Sequence, residues 1–210
     1  MYIKRTIEKS IERANKFFPV VLVTGPRQVG KTTVLQNCET QPRTYVSLDT
    51  LENRELAKND PTLFLQRYPV PVLIDEIQYA PELFPYIKAS VDKEKKSGMY
   101  WLTGSQQFHL MKNVSESLAG RVGILQLEGL SQDEKNGHPD VPPFLPTEEY
   151  IKTKVHSAAE TDLLKIYELI WKGSYPKLYP ADSDYWAVFY ESYMQTYIER
   201  DIKALSAVGN

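Results

Sequence analysis

The sequence predicts an α/β fold: a three-layer arrangement in which helices flank a five-stranded parallel sheet of order 5-1-4-3-2, with a short helical extension at the C-terminal side. Three observations predict it. Short, purely apolar, β-branched runs alternate with helical stretches from residue 20 to about residue 128. The first run leads directly into a glycine-rich turn, "GPRQVGKT" (25–32). Beyond "SQDEKNGHPDVPPFLP" the alternation stops and only helical periodicity remains.

Each element follows from its residues. Ile3, Ile7, Ile11 and Ala14 recur at helical spacing, which predicts an amphipathic helix over 2–18 that Pro19 stops. "VVLVTG" reads as a strand buried on both faces. Similar runs at 44–49, 71–75, 100–104 and 122–127 supply the other four strands, with helices near 31–38, 51–67, 81–95 and 105–119 between them. Residues 1–130 are thus the core, and the Gly-, Pro- and charge-rich stretch 131–156 reads as a connection. In the extension, 157–210, Ser157 and Glu160 have the spacing of a capping box ahead of an apolar face of Leu163, Leu164, Tyr167, Ile170 and Trp171. A second helix from about Asp184 carries Trp186, Phe189, Tyr190, Tyr193, Tyr197 and Leu205. That aromatic stripe suits packing first, and a half-wet partner surface second.

Composition narrows the function. Lys and Arg (25) nearly balance Asp and Glu (27), so no global positive field attracts nucleic acid or anionic lipid. Cys38 is the sole cysteine, and His109, His138 and His156 lack metal-ligand spacing, which excludes a disulfide framework and a zinc finger. The longest apolar runs are too short to span a bilayer, and the charged N-terminus lacks a signal peptide's apolar stretch, so a cytoplasmic location is expected.

Four segments carry chemistry. "GPRQVGKT" satisfies G-x-x-x-x-G-K-[ST] between a strand and a helix, the layout of a phosphate-cradling loop. Gly25, Pro26, Arg27, Gln28, Val29, Gly30, Lys31, Thr32 and Thr33 are the candidate nucleotide-binding residues: backbone amides turn onto phosphate oxygens, Lys31 brings a charge, and Thr32 offers a hydroxyl to Mg²⁺. In "VPVLIDEIQ", Asp75 ends a strand and suits Mg²⁺ binding, while Glu76 is placed to polarise a water. The pair also suits a helix N-terminus. It follows Lys31 by 44 positions with one strand between, the layout of ATPases that use a catalytic Glu. In "LTGSQ", Thr103, Ser105 and Gln106 are candidates to sense a γ-phosphate, Ser105 first among them, or Ser105 is a helix N-cap. Arg121, after Gly120 and before the fifth strand, lies at the sheet edge opposite the loop. It either reaches a neighbouring subunit's nucleotide as an arginine finger or satisfies the carbonyls of the preceding helix end.

"GPRQVGKTT", "VPVLIDEIQYAPELF", "YWLTGSQQF" and "SLAGRV" resemble the prokaryotic AAA-type ATPases that carry an uncharacterised C-terminal domain. "KGSYP" (172–176) is similar to that family's Gly-Gly-x-Pro segment, with Ser174 in place of the second Gly, and "YIERDI" (197–202) is similar to its Tyr-x-x-Arg-Asp segment, which draws in Arg200 and Asp201. The resemblance implies ATP binding and hydrolysis with Mg²⁺. Family members usually continue well beyond this point, so 157–210 is expected to be the start of a C-terminal domain. A homo-oligomer and an unidentified protein partner are the assemblies this suggests.

Other readings stay open. No N-K-x-D segment supports a GTPase, "SESLAGR" is not an ABC signature, and Glu76 argues against a P-loop kinase. A nucleotide-gated interaction module with little turnover and a nucleic-acid-stimulated motor remain as alternatives to the ATPase.

Overall fold

All five apolar runs become strands of one parallel sheet in the computed structural model, which describes residues 2–105, 108–140, 144–157, 161–179 and 185–197. They are β1 (Val20–Thr24), β2 (Thr44–Ser47), β3 (Val72–Asp75), β4 (Tyr100–Gly104) and β5 (Val122–Gln126). Their order is β2-β3-β4-β1-β5, the predicted order seen from the other edge. β1 is central: Leu22 lies opposite Leu102 of β4 on one side and Ile124 of β5 on the other. The burial pattern explains the sequence pattern. β1, β3 and β4 are buried at every position, as strands covered on both faces must be, while edge strands β2 and β5 expose residues such as Tyr45 and Ile124. The register brings the C-terminal ends of β1, β3 and β4 to the same edge of the sheet.

The chain divides into two compact units, Met1–Val141 and Pro142–Asn210. In the first, the helices are α1 (Glu8–Phe17), α2 (Lys31–Asn37), α3 (Leu51–Asn59), α4 (Pro61–Arg67), α5 (Leu83–Glu94), α6 (Phe108–Leu118) and α7 (Gln132–Lys135). Phe64 of α4, Phe84 and Ile87 of α5, and Leu22, Ile74 and Leu102 of the sheet are fully buried together.

Three predicted boundaries change. The helix expected over 2–18 begins only at Glu8, because Arg5 is buried and its guanidinium is bonded to distant backbone carbonyls, which holds the preceding segment out of the helix. It ends as expected before Pro19, with Phe18 extended. The helix expected over 51–67 is two helices. Pro61 has no N–H to continue α3, and the Asp60 carboxylate instead caps α4 by accepting from the Leu63 amide at 2.9 Å. The stretch 131–156, read as a connection, contains two helices, because Ser131 and Glu134 form a reciprocal capping box that nucleates α7.

The second unit holds α8 (Glu148–Ser157), α9 (Leu163–Lys172), a 3-10 turn (Pro176–Leu178) and α10 (Trp186–Tyr197). Ser157 ends α8 and does not open the next helix; Asp162 caps α9 by accepting from the Leu164 amide. The Tyr175 ring packs against Phe189, Tyr190 and Tyr193 at centroid distances of 5.3, 5.9 and 5.1 Å, so much of the aromatic stripe of α10 packs within its own unit. Gln106, Glu160, Asp184, Arg200, Asp201 and Leu205 lie outside the described residues. No helix among the described residues is long and apolar enough to cross a membrane.

Candidate functional site

Among the described residues the buried polar side chains are Arg5, Thr24, Lys31, Asp75, Thr103, Ser105 and Glu134. Five of them, Thr24 through Ser105, belong to the C-terminal ends of β1, β3 and β4 or to the turns that leave those ends. A buried polar group costs free energy unless it is partnered, so this concentration marks the edge of the sheet where ligands bind in open α/β folds.

The loop after β1 has the backbone of a phosphate cradle. Gly25 takes φ 144° and Gly30 φ 92°, both in the left-handed region. A Cβ on Gly25 would come within 2.0 Å of the Leu127 carbonyl oxygen, so glycine is required there for close approach as well as for its torsion. A Cβ on Gly30 would meet nothing within 4 Å, so that side of the loop is open. Gln28 also takes a positive φ, 62°. Lys31, 6% exposed, folds back so that its ammonium donates to the carbonyls of Gly25 (3.1 Å) and Pro26 (2.9 Å). Burial lowers the Lys31 pKa below the ordinary lysine range; Glu76 and Asp75 pull it up, and Arg27 adds to the lowering. A buried cation with two neutral partners is complementary to an incoming anion.

The end of β3 meets that loop through Asp75, which is 8% exposed. The Thr32 hydroxyl donates to Asp75 Oδ1 at 2.5 Å, and the Thr103 hydroxyl, from β4, donates to the same oxygen at 2.5 Å. The Tyr45 phenol, from β2, donates to Oδ2 at 3.4 Å. Because the Thr32 hydrogen is committed to Asp75, its lone pairs are left for a cation. A hydroxyl, a carboxylate and phosphate oxygens suit Mg²⁺, which keeps several waters and takes few protein ligands. No group of three His, Cys, Asp or Glu gathers among the described residues.

Glu76 follows in a left-handed conformation, φ 59° and ψ 48°, which is uncommon for a residue with a side chain and costs about 1–3 kcal/mol. Its amide donates to Thr103 Oγ1 at 3.0 Å, and its carboxylate accepts from the Gln78 side-chain amide. Thr103 thus holds both members of the acidic pair, one through its hydrogen and one through a lone pair. Ser105 was the foremost candidate sensor in the sequence. It is 6% exposed, and its hydroxyl has no hydrogen-bond partner among the described residues. Thr33 is exposed on α2.

Arg121 is not brought to this site. It precedes β5, and its carbonyl accepts from the amide of Val20, so it marks the opposite edge of the sheet. Its guanidinium donates to Asp92 Oδ1 (2.6 Å) and Oδ2 (3.0 Å) and to the Ala119 carbonyl (3.0 Å), which satisfies the helix end as one of the two sequence readings required. Sequence reasoning missed Tyr45, Gln78 and the Arg5–Glu134 pair. Tyr45 reaches Asp75 only through the β2–β3 pairing, in which it lies opposite Leu73, and none of the three had a motif to announce it.

A family model described as an AAA domain matches residues 17–136, more than half of the chain. Uncharacterised proteins of Mycobacterium bovis and Mycobacterium tuberculosis are each 31% identical over 206 residues, covering 96% of this chain and 40% of theirs. The chain therefore spans 40% of the length of these curated relatives. Among solved structures, a Walker-type ATPase of Pyrococcus abyssi has 17% identity and a TM-score of 0.48, covering 80% of this chain and 62% of its own. A DNA replication initiation factor has 14% identity and a TM-score of 0.44, covering 97% and 62%.

Proposed function

The chain belongs to the AAA domain family, and from that premise we propose that it binds ATP with Mg²⁺ at Gly25–Thr32 and hydrolyses it, coupling turnover to a partner or to a conformational change. The observation that carries this reading is the convergence of Thr32 and Thr103 on Asp75 Oδ1, which ties the phosphate loop, the acidic pair and β4 into one cluster. In this reading Lys31 leaves the Gly25 and Pro26 carbonyls for the β- and γ-phosphates, and the amides of the loop take the remaining phosphate oxygens. Asp75 and Thr32 would hold Mg²⁺, which would supply positive charge to offset the negative charge that develops on the phosphate oxygens. Glu76, fixed through its amide by Thr103, accepts a proton from the attacking water, a role worth about 10²–10⁴ in rate. The unpartnered Ser105 hydroxyl donates to a γ-phosphate oxygen.

The contact between Gln78 and Glu76 supports a second reading, a nucleotide-gated module with little turnover. One oxygen of the base accepts from an amide donor, which lowers the basicity of the carboxylate and disfavours turnover while the contact lasts. Phosphate release by the purified chain, with ATP and Mg²⁺, tests both. Steady turnover that EDTA abolishes is the expected result; ATP binding without turnover favours the gated module, and no ATP binding overturns both.

A further inference from the structure

Two of the buried polar side chains lie outside the cluster just described, and they pair with each other. Arg5 and Glu134, 5% and 6% exposed, form an ion pair of 3.1 Å between Nε and Oε2. Their residues are 129 positions apart, and Arg5 precedes the 17–136 span that the family model covers. Among the described residues, the other hydrogen bonds of these two side chains go to backbone. Arg5 Nη2 donates to the carbonyls of Glu128 (2.7 Å) and Gly129 (3.1 Å), and Arg5 Nη1 donates to the carbonyl of Val29 at 3.0 Å. Glu134 accepts from the amides of Thr6 (2.7 Å) and Ser131 (2.9 Å). Burial alone would raise the Glu134 pKa, but those two amides and the Arg5 charge outweigh it and hold the carboxyl below its usual range. The Glu134 carboxyl is therefore ionised at neutral pH.

The Val29 bond is the informative one. Val29 lies inside the phosphate loop, directly before Gly30. The C=O and N–H of one peptide unit point in opposite directions. Fixing the Val29 carbonyl on Arg5 therefore aims the Gly30 amide to the other side of the loop, and Gly30 adopts the φ of 92° that a nest of inward amides requires. We propose that Arg5 is a positioning residue for the phosphate loop: it orients the Val29–Gly30 peptide for a bound polyphosphate, with Glu134 as the counter-charge that keeps the guanidinium in place. This rests on the nucleotide reading above and extends it to two residues that touch no ligand.

Truncating Arg5 would strand Glu134 as a buried charge and risk unfolding. The test therefore uses Arg5→Lys, which keeps the charge but cannot span the Val29, Glu128 and Gly129 carbonyls together, and Glu134→Gln, which keeps an acceptor for the Thr6 amide. Lys9→Ala is the control, because Lys9 also tethers this N-terminal part of the chain, through Asp140 at 2.8 Å, without touching the loop. Calorimetric titration with ATP·Mg²⁺ and with tripolyphosphate, alongside melting temperature, separates the cases. Arg5→Lys is expected to weaken both ligands by about tenfold, the loss of one aimed donor to a charged group, and by the same factor, since the loop contacts phosphates alone. Glu134→Gln should weaken both by a smaller factor, and Lys9→Ala should change neither. Variants that melt earlier yet bind as tightly as wild type would make the pair a staple and overturn the inference alone. A wild-type chain that binds neither ligand would overturn the nucleotide reading, and the inference with it.

Discussion

The two edges of the sheet each hold a cation, and they treat it in opposite ways. At the edge before β5, Arg121 is partly exposed and gives two parallel hydrogen bonds to Asp92. At the edge after β1, Lys31 is buried and its bonds go to two neutral carbonyls. The first charge is satisfied within the chain, and hydrogen bonding from Arg121 holds the Asp92 carboxyl below its usual range. The second carries a desolvation cost without a carboxylate partner, which lowers its pKa. An arginine matched to its own carboxylate is structural chemistry. A lysine buried among carbonyls, beside a carboxylate already claimed by three hydroxyls, suits the anion that the proposed function assigns to it.

The strongest way to break that contrast is at the acidic pair. Glu76→Gln keeps the shape and the amide bond to Thr103 but loses the basic oxygen, so turnover should fall by about 10²–10⁴ while ATP affinity stays. A variant that releases phosphate at the wild-type rate would reduce Glu76 to a strained turn residue.

Next comes Lys31 itself. Lys31→Ala should lower ATP·Mg²⁺ affinity by roughly 100-fold, about 3 kcal/mol, as for truncation of a charged hydrogen-bonded partner. Its melting temperature should hold or rise, since the buried charge goes with the side chain. Wild-type affinity in a calorimetric titration would show that the loop does not bind phosphate through Lys31. The lowered pKa adds a pH signature. The unfolded chain keeps this proton to higher pH than the folded one, so the stability of the free chain should rise with pH between the lowered value and the ordinary lysine range. ATP affinity should fall over the same window, because the ligand needs the charged form. Lys31→Ala should flatten both slopes.

The sequence made the Lys31 edge legible because local spacing encodes it: a strand, a glycine turn and a helix within a dozen residues fix where the amides and the ammonium go. Asp75 and Glu76 were legible because they end an apolar run. The parallel sheet was legible because apolar runs alternate with helical stretches, which calls for crossover connections. The split at Pro61 was missed because the apolar periodicity runs on through α3 and α4, although Asp60-Pro61 is itself a stop and a cap. The bonds of Thr103 to Asp75 and Glu76 were not legible, because a spacing cannot tell which hydroxyl faces β3; that depends on the β3–β4 pairing. Arg5 was invisible, since its partners lie 24 and more than 120 residues away.

Ser105 offers a smaller effect that sharpens the difference between a site group and a structural one. Its buried hydroxyl has no described partner, so Ser105→Ala should leave stability unchanged or raise it by up to about 1 kcal/mol. If the hydroxyl meets a γ-phosphate oxygen, the same change should lower turnover about tenfold, with ADP affinity intact. Stopped assays of phosphate release and an ADP titration read the two separately. Lost stability with unchanged turnover would make Ser105 a helix-cap residue.

The smallest expected effect is at the opposite edge. Arg121 has two sequence readings, a finger for a neighbouring subunit and an anchor for a helix end. The structure satisfies the second: three bonds, to Asp92 Oδ1, Asp92 Oδ2 and the Ala119 carbonyl, occupy the guanidinium. To serve a neighbour the guanidinium would have to leave Asp92, which it binds through two parallel hydrogen bonds. An exposed pair contributes little to stability and is screened by salt. Arg121→Ala should therefore leave ATP affinity and turnover per chain unchanged at every protein concentration, with a small change in melting temperature that disappears in high salt. The opposite result has a definite form. If wild-type turnover per chain rises with concentration, Arg121→Ala abolishes the rise, and mixing Arg121→Ala chains with Glu76→Gln chains restores part of it, then the shared site is real. The contrast between a satisfied and a waiting cation would then hold only for the isolated chain.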